Sequence, residues 1–142
     1  MIEELTRAEI DQLLRERTVG RIGCHADGAT YVVPVIYAYD GGAVYVASVE
    51  GQKIRMMRTN PRVCFEIDEH EPGGWRSVVA QALYEELAGA EAERALALLT
   101  ERFAGSGRRR RPEAGDRATV CFRLLLGETT GRAVRPPTTG PR

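Results

Sequence analysis

Of the 20 basic residues in the chain, Lys53 is the only lysine; every other one is arginine. A compact ammonium suits close approach to a phosphate better than a planar guanidinium does. Lys53 falls where a run of strand-forming residues, Val44, Tyr45 and Val46 onward, gives way to a helix-like stretch. The first turn of a helix carries unpaired N–H groups that favour an anion. Ser48, Gly51 and Gln52 just before it add a hydroxyl, an open backbone and an amide. Residues 48–53 therefore read as a phosphate cradle, with a solvated surface lysine as the plainer alternative.

Two further places can serve a ligand. Pro34 lies in the otherwise strand-like run 30–39 and has no N–H for a ladder bond, so pairing is expected to be interrupted there. The backbone of Val33, Val35 and Ile36 can then face a planar ring with donors and acceptors along one edge; a proline on a sheet edge is the alternative. Trp75 follows Pro72, Gly73 and Gly74 and precedes Ser77, so its ring is expected beside a loop, as a pocket lid or as a core anchor.

Other chemistries find no support. The G-x-S-x-G elbow and the glycine-rich phosphate loops are absent, and both histidines, His25 and His70, sit in polar turn contexts. With no evident nucleophile, catalysis is expected to come from a bound cofactor. Cys24, Cys64 and Cys121 are odd in number, far apart and set in apolar runs, as reduced core thiols are. Only Cys24 and His25 are adjacent candidates for a metal, and no second pair follows at zinc-like spacing, so no metal site is expected. The four arginines at 108–111 lie among glycines with no aromatic neighbour. That composition favours a solvated loop over a phosphate patch.

The elements that must position these residues follow from patterning. Thr6 as N-cap, Glu9 three residues on, and Leu5 placed to staple against Ile10 predict a helix, with Ile10, Leu13 and Leu14 on its buried face and Gly20 as its stop. Short Val, Ile and Tyr runs at 19–25, 30–39 and 43–49, separated by Asp27-Gly28 and Asp40-Gly41-Gly42, predict antiparallel strands. Glycine turns this short leave no room for parallel crossovers. The second strand is apolar on both faces, with Tyr31, Val33, Val35, Tyr37 and Tyr39 on one and Val32, Ile36 and Ala38 on the other, so its outer face requires cover. A short helix is expected over 51–60, ended by Asn60-Pro61, then a strand over 63–68, a loop over 69–74 and a strand over 75–86. A helix over 89–103 buries Ala92, Ala95, Leu96, Leu99 and Phe103. A last strand covers 118–126, with a short piece at 129–134 and a frayed end. About six strands with outlying helices suit a small antiparallel barrel of the α+β class, mainly β.

A chain of 142 residues fits one domain, here expected over 1–135 with a flexible tail at 136–142. Its 43% hydrophobic and 28% charged content excludes a disordered chain. Twenty acids balance the twenty bases, so no field draws it to nucleic acid or an anionic membrane. No apolar run is long enough to span a bilayer, and the amino terminus is acidic where a secretion signal would be basic, so a cytoplasmic protein is expected.

The runs G-R-I-G (20–23), V-P-V-I-Y-A-Y-D-G-G (33–42), V-Y-V-A-S-V-E-G-Q-K (44–53), R-M-M-R-T-N-P-R-V-C-F-E (55–66), W-R-S-V-V (75–79) and T-T-G-R (129–132) carry a family resemblance. In this order and spacing they resemble the pyridoxamine 5'-phosphate oxidase-related flavin-binding split barrels, and most of all their short nitroimidazole-resistance-like branch. The resemblance implies a six-stranded antiparallel split β-barrel with flanking helices, working as a homodimer with FMN at the subunit interface. It implies that Lys53, Gln52 and Ser48, with Ala47 beside them, hold the flavin phosphate. The backbone of Val33, Pro34, Val35, Ile36 and Tyr37 would run along the isoalloxazine ring. Trp75 and Ser77 would approach from the next strand or from the other subunit. It further implies electron transfer from NAD(P)H to a small oxidised acceptor, with a non-catalytic flavin or deazaflavin (F420) binding module, or a cofactor-free structural dimer, as alternatives. Three departures bear on this. The chain lacks the longer basic and aromatic carboxy-terminal region of the true oxidases. Ala47 stands where nitroimidazole-resistance proteins commonly carry a histidine. Neither histidine sits as a haem ligand would in a buried strand.

Overall fold

The computed structural model describes residues 1–104 and 119–137; the arginine run at 108–111 and the end of the tail fall outside them. The elements are β1 (Glu3–Glu4), α1 (Arg7–Glu16), β2 (Val19–Ala26), β3 (Ala29–Ile36), β4 (Ala38–Asp40), β5 (Ala43–Val49), α2 (Gln52–Thr59), β6 (Arg62–Glu71), β7 (Gly74–Glu86), α3 (Gly89–Phe103) and β8 (Thr119–Val134). All pairings are antiparallel, in the order β3-β2-β6-β7-β8-β5-β4, with β1 added to β8. The two ends of this order are halves of one bent strand. The Tyr37 N–H still donates to the Thr18 carbonyl on the β2 side at 3.1 Å, and the next residue, Ala38, already pairs with Tyr45 of β5. The sheet thus rolls into a barrel joined at Tyr37 and left open where β3 and β5 diverge.

The architecture is the expected mainly-β split barrel, with eight strands among the described residues rather than six. One addition is the two-residue β1. The other comes from the bend at Tyr37, which divides the expected second strand. At the carboxy-terminal end the two expected pieces are one 16-residue strand, β8. The expected loop at 69–74 is mostly ladder: His70 faces Trp75 and Glu71 faces Gly74, leaving a two-residue turn at Pro72 and Gly73. Trp75 thus opens the expected strand beside a shorter turn, while His70 lies in β6 and His25 in β2, both paired in ladders rather than in turns.

The interior is filled by one face of each strand. Ile22, Val35, Tyr37, Val44, Val46, Phe65, Ile67, Val78, Phe122 and Leu124 are buried there. Gly20 does not stop the first helix, which ends at Glu16 with Arg17 as its C-cap; it lies inside β2, where a Cβ would collide with the Phe65 ring. Its lack of a side chain makes room for that ring.

Each mouth of the barrel is closed by a helix. α1 seals one: Leu13 and Leu14 are fully buried, the Tyr37 hydroxyl donates to the Leu14 carbonyl at 2.8 Å, and Gly131 of β8 allows Leu5 and Ile10 to pack against it. The capping box is formed, with the Thr6 N–H donating to Glu9 Oε1 at 3.0 Å and the Glu9 N–H to Thr6 Oγ1 at 3.2 Å. α2 seals the other mouth through Ile54, Met56 and Met57. α3 spans the expected residues but packs outside the barrel, on β5 and β8. It fully buries only Ala95 of its expected stripe, beside Leu87 and Cys121. The three cysteines are unpaired.

The capping box gives an acid-sensitivity prediction. The Thr6 backbone bond, followed by Arg135, lowers the Glu9 carboxyl to about 2. Because it is depressed on folding, its contribution is complete above the ordinary glutamate range, near 4.5, and is lost as pH falls toward about 2. Acid titration followed by amide hydrogen exchange in α1 is expected to show this helix loosening across that window. The same profile in Glu9→Gln would contradict it.

Candidate functional site

Lys53 stands in the first turn of α2, half-buried. Gly51 at the N-cap offers no side chain to the helix, whose first backbone bond runs from the Arg55 N–H to the Gly51 carbonyl at 3.1 Å. The N–H groups of Gln52, Lys53 and Ile54 thus have no acceptor among the described residues. Burial pushes the Lys53 ammonium below its ordinary range, partly offset by the nearby Cys24. Burial pushes the buried Cys24 thiol up in turn, and the ammonium partly counters that. Among the described residues no carboxylate pairs with Lys53. An ammonium half out of water beside three unpaired N–H groups is a place where an anion gains from both.

Ser48, at the end of β5, lies one residue from Ala47 but on the opposite face. Its hydroxyl donates only to the neighbouring Val49 carbonyl, at 3.2 Å. The Ala47 side chain packs under α3 with Tyr45 and Leu96, away from the barrel mouth. Gln52 is exposed and reaches Met56 Sδ, 3.9 Å away.

Pro34 does not interrupt the ladder as expected. The β2–β3 register runs unbroken from Val19 opposite Ile36 to Ala26 opposite Ala29, with Pro34 opposite Arg21. The reason is that β3 pairs only with β2 and is an edge, so a residue whose N–H would point outward loses nothing by being proline. Antiparallel alternation, anchored by the Tyr37 bond to Thr18, aims the backbone of Val33 and Val35 at β2. The groups of Val32, Pro34 and Ile36 are left facing the open side. An unpaired backbone edge therefore exists, with the interruption moved to the bend at Tyr37.

Trp75 and Ser77 are not brought to Lys53. Both lie on the outer sheet face at the start of β7, while α2 is tied to the other end of that strand by Arg58 and Glu86, 2.8 Å apart. Trp75 and Glu86 are about 35 Å apart along the strand, at roughly 3.3 Å per residue. Within one chain the two halves of the candidate site occupy opposite ends of the barrel.

Sequence reasoning missed the charge cluster on this outer face. Arg21 Nη1 donates to Glu66 Oε1 at 2.9 Å and to Asp68 Oδ2 at 2.8 Å. The signal was the alternation of β6, whose even-numbered residues all point outward, in the same register as Arg21. Around the cluster Val32, Val19 and Ile36 remain 62%, 43% and 42% exposed. Two shallow concavities among the described residues lie away from Lys53. One, of about 480 Å³, lies beneath α3 between Tyr45, Leu98 and Arg123. The other, of about 450 Å³, lies beside Arg76 and Arg135. No helix of the described residues is long and apolar enough to cross a membrane.

Comparison with known proteins adds to this geometry. The pyridoxamine 5'-phosphate oxidase family model matches residues 6–133. An uncharacterized protein of Rhizobium meliloti is 33% identical over 143 residues, covering 93% of this chain and 95% of that protein. The crystal structure of an FAD-binding protein from Mesorhizobium loti superposes with a TM-score of 0.82 at 35% identity, covering 95% of this chain and 99% of that one. That of the FAD binding protein from Mycobacterium smegmatis shares the fold at 24% identity, with a TM-score of 0.68 over 93% and 97% of the two chains.

Proposed function

The chain belongs to the pyridoxamine 5'-phosphate oxidase family, and from that membership we propose that it is a cytoplasmic, homodimeric flavoprotein that passes electrons from NAD(P)H to a small oxidised acceptor. The observation that carries the reading is the half-buried Lys53 ammonium, without a carboxylate among the described residues, at the open N-terminus of α2. Lys53, the N–H groups of the first α2 turn and the Ser48 hydroxyl would hold the phosphate. The outward backbone groups of Val32, Pro34 and Ile36 on the β3 edge would orient the ring. Trp75 and Ser77 would come from a second copy, because within one chain they lie at the far end of the barrel. The same copy would cover the outer face that Val19, Val32 and Ile36 leave apolar, and would keep water from the ring.

A bound flavin would supply the hydride acceptance and the onward electron transfer; the protein's share is binding, orientation and exclusion of solvent. FMN is the cofactor this reading favours. FAD stands beside it because the Mesorhizobium loti relative is described as FAD-binding. Both present a phosphate at the end of the ribityl chain, the part Lys53 would meet, as does the deazaflavin F420.

The purified protein is expected to be yellow, to run as a dimer and to bleach with NADH or NADPH under exclusion of air. Mass spectrometry of the released cofactor distinguishes FMN, FAD and F420. A colourless protein that takes up none of the three would overturn the proposal. Tight binding without bleaching would leave the carrier or sensor alternative in its place.

A further inference from the structure

The exposed face of β3, β2, β6 and β7 carries apolar side chains around one group of charges, and the composition of that group has a consequence for pairing of two copies. Glu66 and Asp68 stand two residues apart on β6 and share a single guanidinium, Arg21 of β2, through the same nitrogen at 2.9 and 2.8 Å. Two carboxylates on one cation leave an excess negative charge. The other groups facing them are few: along β6 the Cys64 thiol, which burial and then Glu66 push up, lies two residues from Glu66 on the same face. His70 of β6 lies 3.7 Å from Asp68 Oδ1, and β7 contributes Ser77 and Val79. On the far side of β7, β8 contributes Arg132, exposed and opposite Ser77. β3 contributes Pro34, opposite Arg21.

We propose that the Arg21, Glu66 and Asp68 cluster makes dimer formation, and with it flavin retention, dependent on pH, the dimer tightening as the two carboxylates come to share a proton. This rests on the dimeric reading above, in which a second copy covers this face. Covering an apolar face is favourable, but carrying an uncompensated charge under it is costly. A proton taken up between Glu66 and Asp68 leaves the cluster neutral, one carboxyl donating to the other and Arg21 balancing the remaining charge. Within the single chain the Glu66 carboxyl is already raised, by burial first and then by Asp68, while the Asp68 carboxyl is lowered, by its bond to Glu66 first and then by Arg21. Covering the face raises Glu66 further. A carboxyl whose pKa is higher in the dimer binds a proton on association, so the dimer is favoured at lower pH and weakens as pH rises.

The test is sedimentation equilibrium of the flavin-loaded protein at several values between about pH 5 and 8, with flavin fluorescence as a second readout of release. The dimer dissociation constant is expected to rise about a hundredfold across this range, about tenfold for each of the two clusters that a symmetric pair brings to the interface. Glu66→Gln, which cannot ionise, is expected to hold the tight constant throughout, while His70→Asn keeps the wild-type slope. A flat wild-type profile, or a Glu66→Gln profile as steep as wild type, overturns the cluster's role and leaves the dimeric flavoprotein reading intact. Flavin-loaded single copies at every pH overturn the dimeric reading itself, and the cluster's role with it. Asp68→Asn gives the same comparison from the other carboxylate if Glu66→Gln does not fold.

Discussion

Replacing Lys53 with alanine is expected to cost about 1.5 to 3 kcal/mol of flavin affinity, the value of a hydrogen bond to a charged group, or roughly a 10- to 150-fold rise in Kd. The size follows from the surroundings. The ammonium is half-buried and no carboxylate among the described residues holds it, so a phosphate would be its first charged partner. Lys53→Arg restores the charge but not the compact head group and is expected to recover only part of the affinity. Stability of the cofactor-free protein should not fall with Lys53→Ala. Burial lowers the Lys53 pKa in the folded state, so the unfolded chain holds that proton more strongly and the charged lysine opposes folding below its ordinary titration range. Fluorescence titration with FMN and FAD, beside urea unfolding of the apoprotein, separates the two effects. Unchanged affinity for both flavins would put the phosphate elsewhere; a matching loss of stability would make Lys53 a structural residue.

Phe65→Ala is expected to destabilise the fold by about 3 to 5 kcal/mol, the range for removing a buried aromatic side chain. The ring is 1% exposed, meets Tyr37 edge-on with centroids 5.1 Å apart, and lies in the space that Gly20 leaves open. Tyr37 is also the point where the barrel joins, so the vacated space would loosen the bend between β3 and β4. Gly20→Ala attacks the same contact from the other side, costing about 1 to 3 kcal/mol by overpacking. In the Phe65→Ala background that second cost should largely vanish, because the ring it collides with is gone. Urea denaturation of the two single variants and the double variant gives the coupling. Additive losses would mean that Gly20 and Phe65 do not share the space.

Much was legible without coordinates. The capping box at Thr6 and Glu9, the extents of β5 and α3 and the antiparallel hairpins rest on short-range chemistry: caps, glycine turns and side-chain period. These act over a few residues and leave their mark in the order of residue types. That Gly51 and Lys53 stand at the start of α2 was legible for the same reason, since they are neighbours in sequence; their hold on a phosphate is the proposal drawn from that placement. Gly20 was misread because its neighbour, Phe65, is 45 positions away in the chain; nothing local distinguishes a glycine that ends a helix from one that admits a ring. Pro34 left two readings open, an interrupted ladder and a sheet edge, and the edge is the one that holds; whether a proline breaks a ladder depends on whether its strand has neighbours on both sides.

The sequence by itself determined a mainly-β, antiparallel chain with one lysine at the start of a helix, because periodicity and turn chemistry are properties of adjacent residues. Tertiary structure alone decided that the barrel joins at Tyr37 and stays open between β3 and β5. It also decided that Trp75 and Ser77 stand at the opposite end from Lys53, and that Arg21, Glu66 and Asp68 meet on one exposed face. Those facts depend on which strands lie side by side and in what register, and a register is fixed by the packing of the whole interior rather than by any one strand.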